Sequence, residues 1–363
     1  GATSANSLPL IDANDNVYTF SGNGISKFSM DGTPQWTFRT TAGGDAPLST
    51  MGGMALYGNT LYVGDATDGS GVAHFRALNL TDGSIKWQYS APTIFNRATG
   101  FGAPAISMDG TVYCKNSSDG KLYAFNSETG AAVFSHLIND PSQGAAITPI
   151  VLLSDGTIVV PGGNAGAARA LSRVTADGAS ANSAILSPGS FDAGWISGIS
   201  ASPDGNTIYV NVGSMLHALN SNLTTKWAVD IGPSDILWGM PAIAADGSIY
   251  ASSNGQQLYA FNPADGSRKW TFSHGTDNFF NCHPIIDGNG NIFIGNSNGI
   301  TAVTPQGTLL WALPITDAVR TPVLAENGSL YFVGSNSLHA LSPKVPPSAI
   351  ELSAVPSSIL ATQ

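Results

Sequence analysis

The sequence predicts an all-β protein in which eight four-stranded antiparallel sheets are arranged in a ring. Three observations lead there. Short apolar runs of strand length alternate with Gly-containing turn pairs along nearly the whole chain. An alanine tag recurs where the third strand of each unit should lie. A proline before the first strand and an aromatic in the fourth keep the same phase as that tag. Such turn pairs close antiparallel hairpins. Repeats of about 40 to 50 residues with four strands each are the signature of an eight-bladed β-propeller.

The unit is clearest between Pro241 and Trp270. Strands are expected at Pro241–Ala244, Ser248–Ala251 and Gln257–Phe261, with a fourth from Arg268 to Phe272. Asp246-Gly247, Asn254-Gly255 and Asp265-Gly266 turn the chain between them. The alanine tag falls at Ala77, Ala124, Ala170, Ala218, Ala260, Ala302 and Ala340, and Lys27-Phe28-Ser29 is an earlier copy without the alanine. Prolines open the innermost strand at Pro9, Pro104, Pro149, Pro241, Pro284 and Pro322, with Met54 and Ile199 in that place elsewhere. A proline at a strand's first residue costs no ladder hydrogen bond. The outer-strand aromatics are Trp36, Trp87, Phe134, Trp227, Trp270 and Trp311. Each should cover the seam to a neighbouring blade, because a large ring at a fixed place buries much area. The fourth repeat has no such aromatic. The run Asp287 to Asn291 looks like part of a calcium loop but lacks the closing glutamate, so it reads as a turn.

Domain organisation follows from the repeat. The 363 residues count as one propeller over residues 1–345, because repeats sharing one core are one domain. Residues 346–363 read as a C-terminal segment, either the closing strand of the last blade or a linker to a further domain. Ala349–Ala354 has the better strand propensity of the two chain ends.

Charged residues are only 10% of the chain, and net charge is −10 with 14 Lys and Arg. No basic stripe is present, which argues against nucleic-acid binding. No apolar run reaches membrane-spanning length. A surface built from Ser, Thr, Asn and Gly suits an extracellular or periplasmic protein. The two cysteines, Cys114 and Cys282, fall in distant repeats and form no CxxC pattern. They read as buried free thiols.

The run of Pro, Asp-Gly turn, Tyr-Ala-Phe-Asn, then Gly and Trp resembles the PQQ-like, quinoprotein-type propeller repeat. Its best copies are Pro104–Phe134 and Pro241–Trp270, and the resemblance covers about residues 8 to 342. Dehydrogenases of that family hold PQQ above the channel with calcium, a catalytic aspartate and adjacent cysteines. This chain has no adjacent cysteines and no recognisable acidic constellation on the loops into the inner strands. It is more similar to the non-catalytic BamB-type branch, whose propeller is a protein-binding scaffold. The segment Ala349–Ala361 also resembles the first strand of a bacterial immunoglobulin-like domain.

In a ring of this kind, residues just before each inner strand face one mouth of the channel. The candidate ligand-binding residues there are Met51, Arg97, Phe101, Trp195, Trp238, Phe280, Asn281, His283 and Arg320. Aromatic and cationic groups on a rigid rim suit a protein segment or a glycan. His283 is the one histidine expected at an inner strand, and no carboxylate is identifiable to orient it as a base. No catalytic residue, metal site or cofactor is assigned. The expectation is a monomeric, non-enzymatic binding or scaffolding module of a bacterial cell surface or envelope. The alternative is a PQQ-type dehydrogenase or other small-molecule enzyme acting at the mouth.

Overall fold

The computed structural model describes residues 9–21, 24–39, 53–65, 72–92, 100–138, 149–162, 169–190, 196–274, 282–296, 299–315, 319, 321–333, 337–343 and 350–354. They form eight four-stranded antiparallel sheets, each a meander in chain order. The blades span 10–39, 54–92, 105–137, 151–185, 196–230, 237–273, 285–314 and 323–354. The last outer strand is Ile350–Ala354, which pairs with Leu338–Pro343 in register Ala340 to Ser353.

The apolar core is divided among the seams. Eight buried clusters occur among the described residues, and each straddles two neighbouring blades. Val17 and Phe28 of blade 1 pack with Ala325, Tyr331 and Leu338 of blade 8, which closes the ring. Cys114 and Cys282 are buried and free, in the clusters between blades 2 and 3 and between blades 6 and 7. A single blade has two apolar faces and no way to cover them alone, so closure is what makes each sheet stable.

The outer-strand aromatic is the part that joins one blade to the next. Nε1 of Trp36, Trp87, Trp227 and Trp270 donates to Leu80 O, Ser127 O, Pro263 O and Pro305 O, all at 2.7–2.9 Å. Each acceptor lies in the next blade's turn between third and fourth strands. The same turns hold Gly83, Gly130, Gly266 and Gly307 at φ of 68° to 81°. A Cβ on any of them would lie 2.5–2.7 Å from the indole. Glycine is therefore required there twice over, by backbone conformation and by the ring lying flat against it. Phe134 covers Gly178 in the same way, without the hydrogen bond.

Blade 4 departs from the pattern and corrects the sequence register. The third-strand bulge, which follows the alanine in most blades, falls between Arg173 and Val174. Arg173, not Ala170, is the true equivalent of the alanine tag. The tag matched at Ala170 because small and apolar residues alternate there as well. Arg173 pairs with Asn182, so Asn182 holds the tryptophan's place, and its Nδ2 donates to Asn222 O of blade 5. The glycine expected in that blade 5 turn is Leu223, at φ 66° and almost fully buried. Leu223 fills from blade 5 the space that an indole fills from the preceding blade elsewhere. A left-handed leucine costs about 1–2 kcal/mol, which its burial offsets.

Turn carboxylates recur along the same edges of the blades, mostly in the turns between first and second strands. Asp109, Asp204, Asp246 and Asp287 each accept from the backbone N–H two residues on, at 2.9–3.0 Å. Asp287 also accepts from Asn291 N at 2.8 Å and from its side chain, so this stretch is a turn stapled to itself. Hydrogen bonds to the charged form hold Asp109, Asp204 and Asp246 low. Ser29 and the Thr33 amide bring Asp31 down to about 2, and Ser202 and the Asn206 amide do the same for Asp204.

Two outcomes follow. Asn182→Trp alone should destabilise the ring by clashing with Leu223, and Leu223→Gly alone by leaving a cavity, each by about 2–4 kcal/mol. Together they restore the indole-on-glycine seam, so a double-mutant cycle in urea should show favourable coupling of about 1–3 kcal/mol. Additive losses would refute the substitution of one filler for the other. Acid stability has a sign fixed by the turn acids. Their folded pKa values lie below the ordinary 3.8, so the unfolded chain binds protons first. Stability they contribute is present above 3.8 and lost towards about 2, and urea midpoints should fall through that window.

Candidate functional site

At one end of the ring, the residue immediately before each inner-strand proline, or before Met54 and Ile199 that take its place, forms an axial ring. Its described members are Gly53, Ala103, Gly198, Met240, His283 and Thr321. On one side backbones crowd: a Cβ on Gly53 would lie 2.8 Å from Ala103 Cβ, and one on Gly198 would strike the Gly239 carbonyl. The other side, from blade 6 to blade 8, carries Met240, His283 and Thr321. The chemistry of the mouth is therefore lopsided.

Blades 5 and 6 also differ in their inner strands. These run Ile196–Ala201 and Leu237–Ile243, while those of blades 1, 3, 4, 7 and 8 have two residues each. Pro241 thus lies inside its strand rather than opening it. It is tolerated because the pairing with the second strand is interrupted between Trp238 and Ala242, where no ladder N–H is needed.

One peptide unit organises the polar groups. Asn211 Nδ2 of blade 5 donates to Gly239 O at 2.8 Å, and Met240 N donates to His283 Nδ1 of blade 7 at 2.6 Å. The Gly239–Met240 peptide is therefore clamped from both neighbours. His283 N then donates to Thr321 Oγ1 of blade 8 at 2.7 Å, which carries the chain of bonds across four blades. Gly239 is at φ 78°, and a Cβ there would lie 2.5 Å from His283 Nδ1. The imidazole can lie against this backbone only because residue 239 has no side chain.

That contact decides what His283 can do. With Nδ1 accepting from an amide, the neutral ring carries its proton on Nε2. Burial pushes its pKa down to about 4. The side chain is a neutral hydrogen-bond donor, so the general-base possibility raised by its inner-strand position does not apply.

Two further positions escaped the sequence reading. The second-strand residue two after Tyr113, Tyr209 and Tyr250, which recur at one place in the repeat, reaches across the seam. Lys115 Nζ donates to Pro161 O at 2.5 Å, and Ser252 Oγ donates to Cys282 O at 2.5 Å, as Asn211 does to Gly239. Burial brings the Lys115 ammonium down to about 7. The third-strand residue before the alanine tag ties rim loops. Arg76 bonds Asp65, Tyr123 OH donates to Asp119 at 2.5 Å, Tyr259 OH to Asp235 at 3.1 Å, and His217 Nε2 to Ser187 O at 2.7 Å. Both positions could have been found by aligning the repeats column by column, because only polar residues or glycine make sense where a loop is anchored.

The sequence candidates separate under this geometry. Trp238 and His283 come together through the Gly239–Met240 unit, with Trp238 half-buried beside it. Phe101 is fully buried among Phe75, Tyr89 and Tyr123 in the seam between blades 2 and 3. It bridges to Asn116 and serves the core. Met51, Arg97, Trp195, Phe280, Asn281 and Arg320 lie outside the described residues. Among the described residues, no three His, Cys, Asp or Glu side chains gather as a metal site, and no helix is long and apolar enough to cross a membrane.

Gly239→Ala should cost about 2–3 kcal/mol, from the left-handed backbone and the displaced imidazole. A second measurement concerns pH. His274 and His283 are held near 4 by burial, so the unfolded chain takes up their protons first as pH falls below 6.5. Stability should decline from 6.5 towards 4, and His283→Asn should flatten part of that slope. Asp65 and Asp119, raised by burial, take up their protons first in the folded chain and oppose that loss at pH values above 3.8.

The family model described as outer membrane protein assembly factor BamB matches residues 2–93, 66–176 and 164–344. No curated protein sequence matches the chain. Among solved structures, BamB from Moraxella catarrhalis is 16% identical with a TM-score of 0.68, covering 94% of each chain. Europium-containing methanol dehydrogenase is 12% identical at 0.66, covering 93% of this chain and 82% of its own. Quinohemoprotein alcohol dehydrogenase from Comamonas testosteroni is 13% identical at 0.68, covering 93% and 71%. At these identities the structures share the fold, and an assembly factor and dehydrogenases share it alike. The overlapping matches over nearly the whole length place this chain in the PQQ-like repeat family of the BamB assembly factor.

Proposed function

We propose that this protein is a non-enzymatic binding or scaffolding propeller of a bacterial cell surface or envelope, acting outside the cytoplasm as a monomer. Its channel mouth receives a protein segment or a glycan. The observation that carries this reading is the blade 6–8 side of the axial ring. There Trp238, Met240 and the Nε2–H of His283 are set on one clamped peptide unit. A half-buried aromatic beside a fixed polar donor is the composition of a recognition site. The BamB family supports a protein as the partner and the envelope as the location.

The test is capture from a bacterial envelope extract on immobilised protein, compared with a Trp238→Ala variant. A partner retained by the wild type should be lost or weakened at least tenfold (about 1.4 kcal/mol) in the variant. Equal retention would remove the mouth from the account. Dye reduction with an alcohol or sugar, after adding PQQ and calcium, would instead favour the dehydrogenase reading.

A further inference from the structure

Around the axial ring most hydrogen-bonding capacity is already spent, and what is left unspent defines a ligand. Ser197 Oγ donates to Leu237 O at 2.8 Å, Ser252 Oγ to Cys282 O at 2.5 Å, and Asn211 Nδ2 to Gly239 O at 2.8 Å. Asn211 Oδ1 has no partner, but Asn211 is fully buried and closed to a visitor. His283 Nδ1 is engaged by Met240 N. His283 Nε2–H has no partner among the described residues. This is a neutral donor of fixed direction, and Trp238 and Met240, on either side of Gly239 in the clamped stretch, are half-buried.

A lone neutral donor selects through what it lacks. A carboxylate or phosphate calls for a cation or several converging donors. A metal needs a free ring lone pair, and both nitrogens of this imidazole are taken, one by an amide and one by its proton. A sugar hydroxyl donates as well as accepts, and a lone donor answers only half of that. A peptide carbonyl asks only for a donor. The thioether of Met240 adapts to varied side chains, and the indole of Trp238 offers a broad apolar face.

Building on the binding role proposed above, we infer that the mouth takes an internal, uncharged stretch of extended polypeptide, one main-chain carbonyl of which accepts from His283 Nε2–H. The donor stays neutral over the physiological range. Burial is what perturbs the ring. The groups that face it are Met240 from blade 6 and Thr321 from blade 8, with Cys282 on its own strand, and none of these carries charge. Binding is accordingly insensitive to salt and to pH between about 5 and 8.

The experiment selects binders from a displayed library of short linear peptides and remakes the best one with acetylated and amidated ends. Its affinity is then measured for the wild type, Trp238→Ala and His283→Asn. The Asn amide oxygen replaces Nδ1 as acceptor for Met240 N, so the peptide clamp is kept while the distal N–H is removed. His283→Asn should bind about tenfold more weakly, and Trp238→Ala should bind more weakly too. Replacing one amide of the peptide by an ester weakens that carbonyl as an acceptor. At a single position this should weaken binding to the wild type and have no further effect in His283→Asn. If His283→Asn fails to fold, the ester series on the wild type decides alone. Loss in Trp238→Ala with none in His283→Asn, or no sensitive ester position, would overturn the inference and leave the mouth as a binding site. So would a requirement for a free carboxylate, or binding to neutral oligosaccharides with no peptide selected. Selected peptides that bind both variants like the wild type would overturn the mouth reading itself.

Discussion

The fold rests on an indole lying flat against a glycine of the next blade while its N–H reaches a carbonyl in the same turn. In this way blades 1, 2, 5 and 6 each gain a cover for one face and a directional tether to the next blade. The apolar clusters between blades need that tether, because hydrophobic contact alone does not fix how far one sheet slides over another. The ring is therefore a chain of equal joints, closed by Val17 and Phe28 against blade 8.

Blade 4 shows that the constraint is on filled volume and not on tryptophan as such. Asn182 keeps the hydrogen bond to the next blade, and Leu223 supplies the missing bulk from the other side. Two departures that look like decay when read singly are one compensated change. The joint retains its tether and its packing with the roles of the two blades exchanged.

The mouth inherits its asymmetry from the same ring. Blades 2 and 3, and 5 and 6, bring backbones so close that Gly53, Ala103 and Gly198 are the residues that fit. The space is left to blades 6 to 8, where a clamped peptide unit orients His283. The repeat thus builds a rigid frame in which one arc is free to carry recognition chemistry. That division suits a scaffold, and it explains how relatives with the same architecture support different activities.

The sequence determined the all-β class, the eight repeats and the aromatic seams, because turn pairs, strand runs and tags recur in phase and each has a local physical cause. Register in blade 4 was not legible. Ala170 and Arg173 both sit in plausible strands, and only cross-strand pairing distinguishes them. Phe101 illustrates the same limit, since its place before an inner strand fits rim or core equally, and contact with Phe75 and Tyr123 puts it in the core. His283 was legible as an inner-strand histidine, but its protonation, neutrality and role as a donor came from Met240 and Gly239, on a blade some forty residues earlier in the chain. Local periodicity is written in neighbouring residues, whereas the state of a buried side chain is set by whatever the ring's closure brings against it.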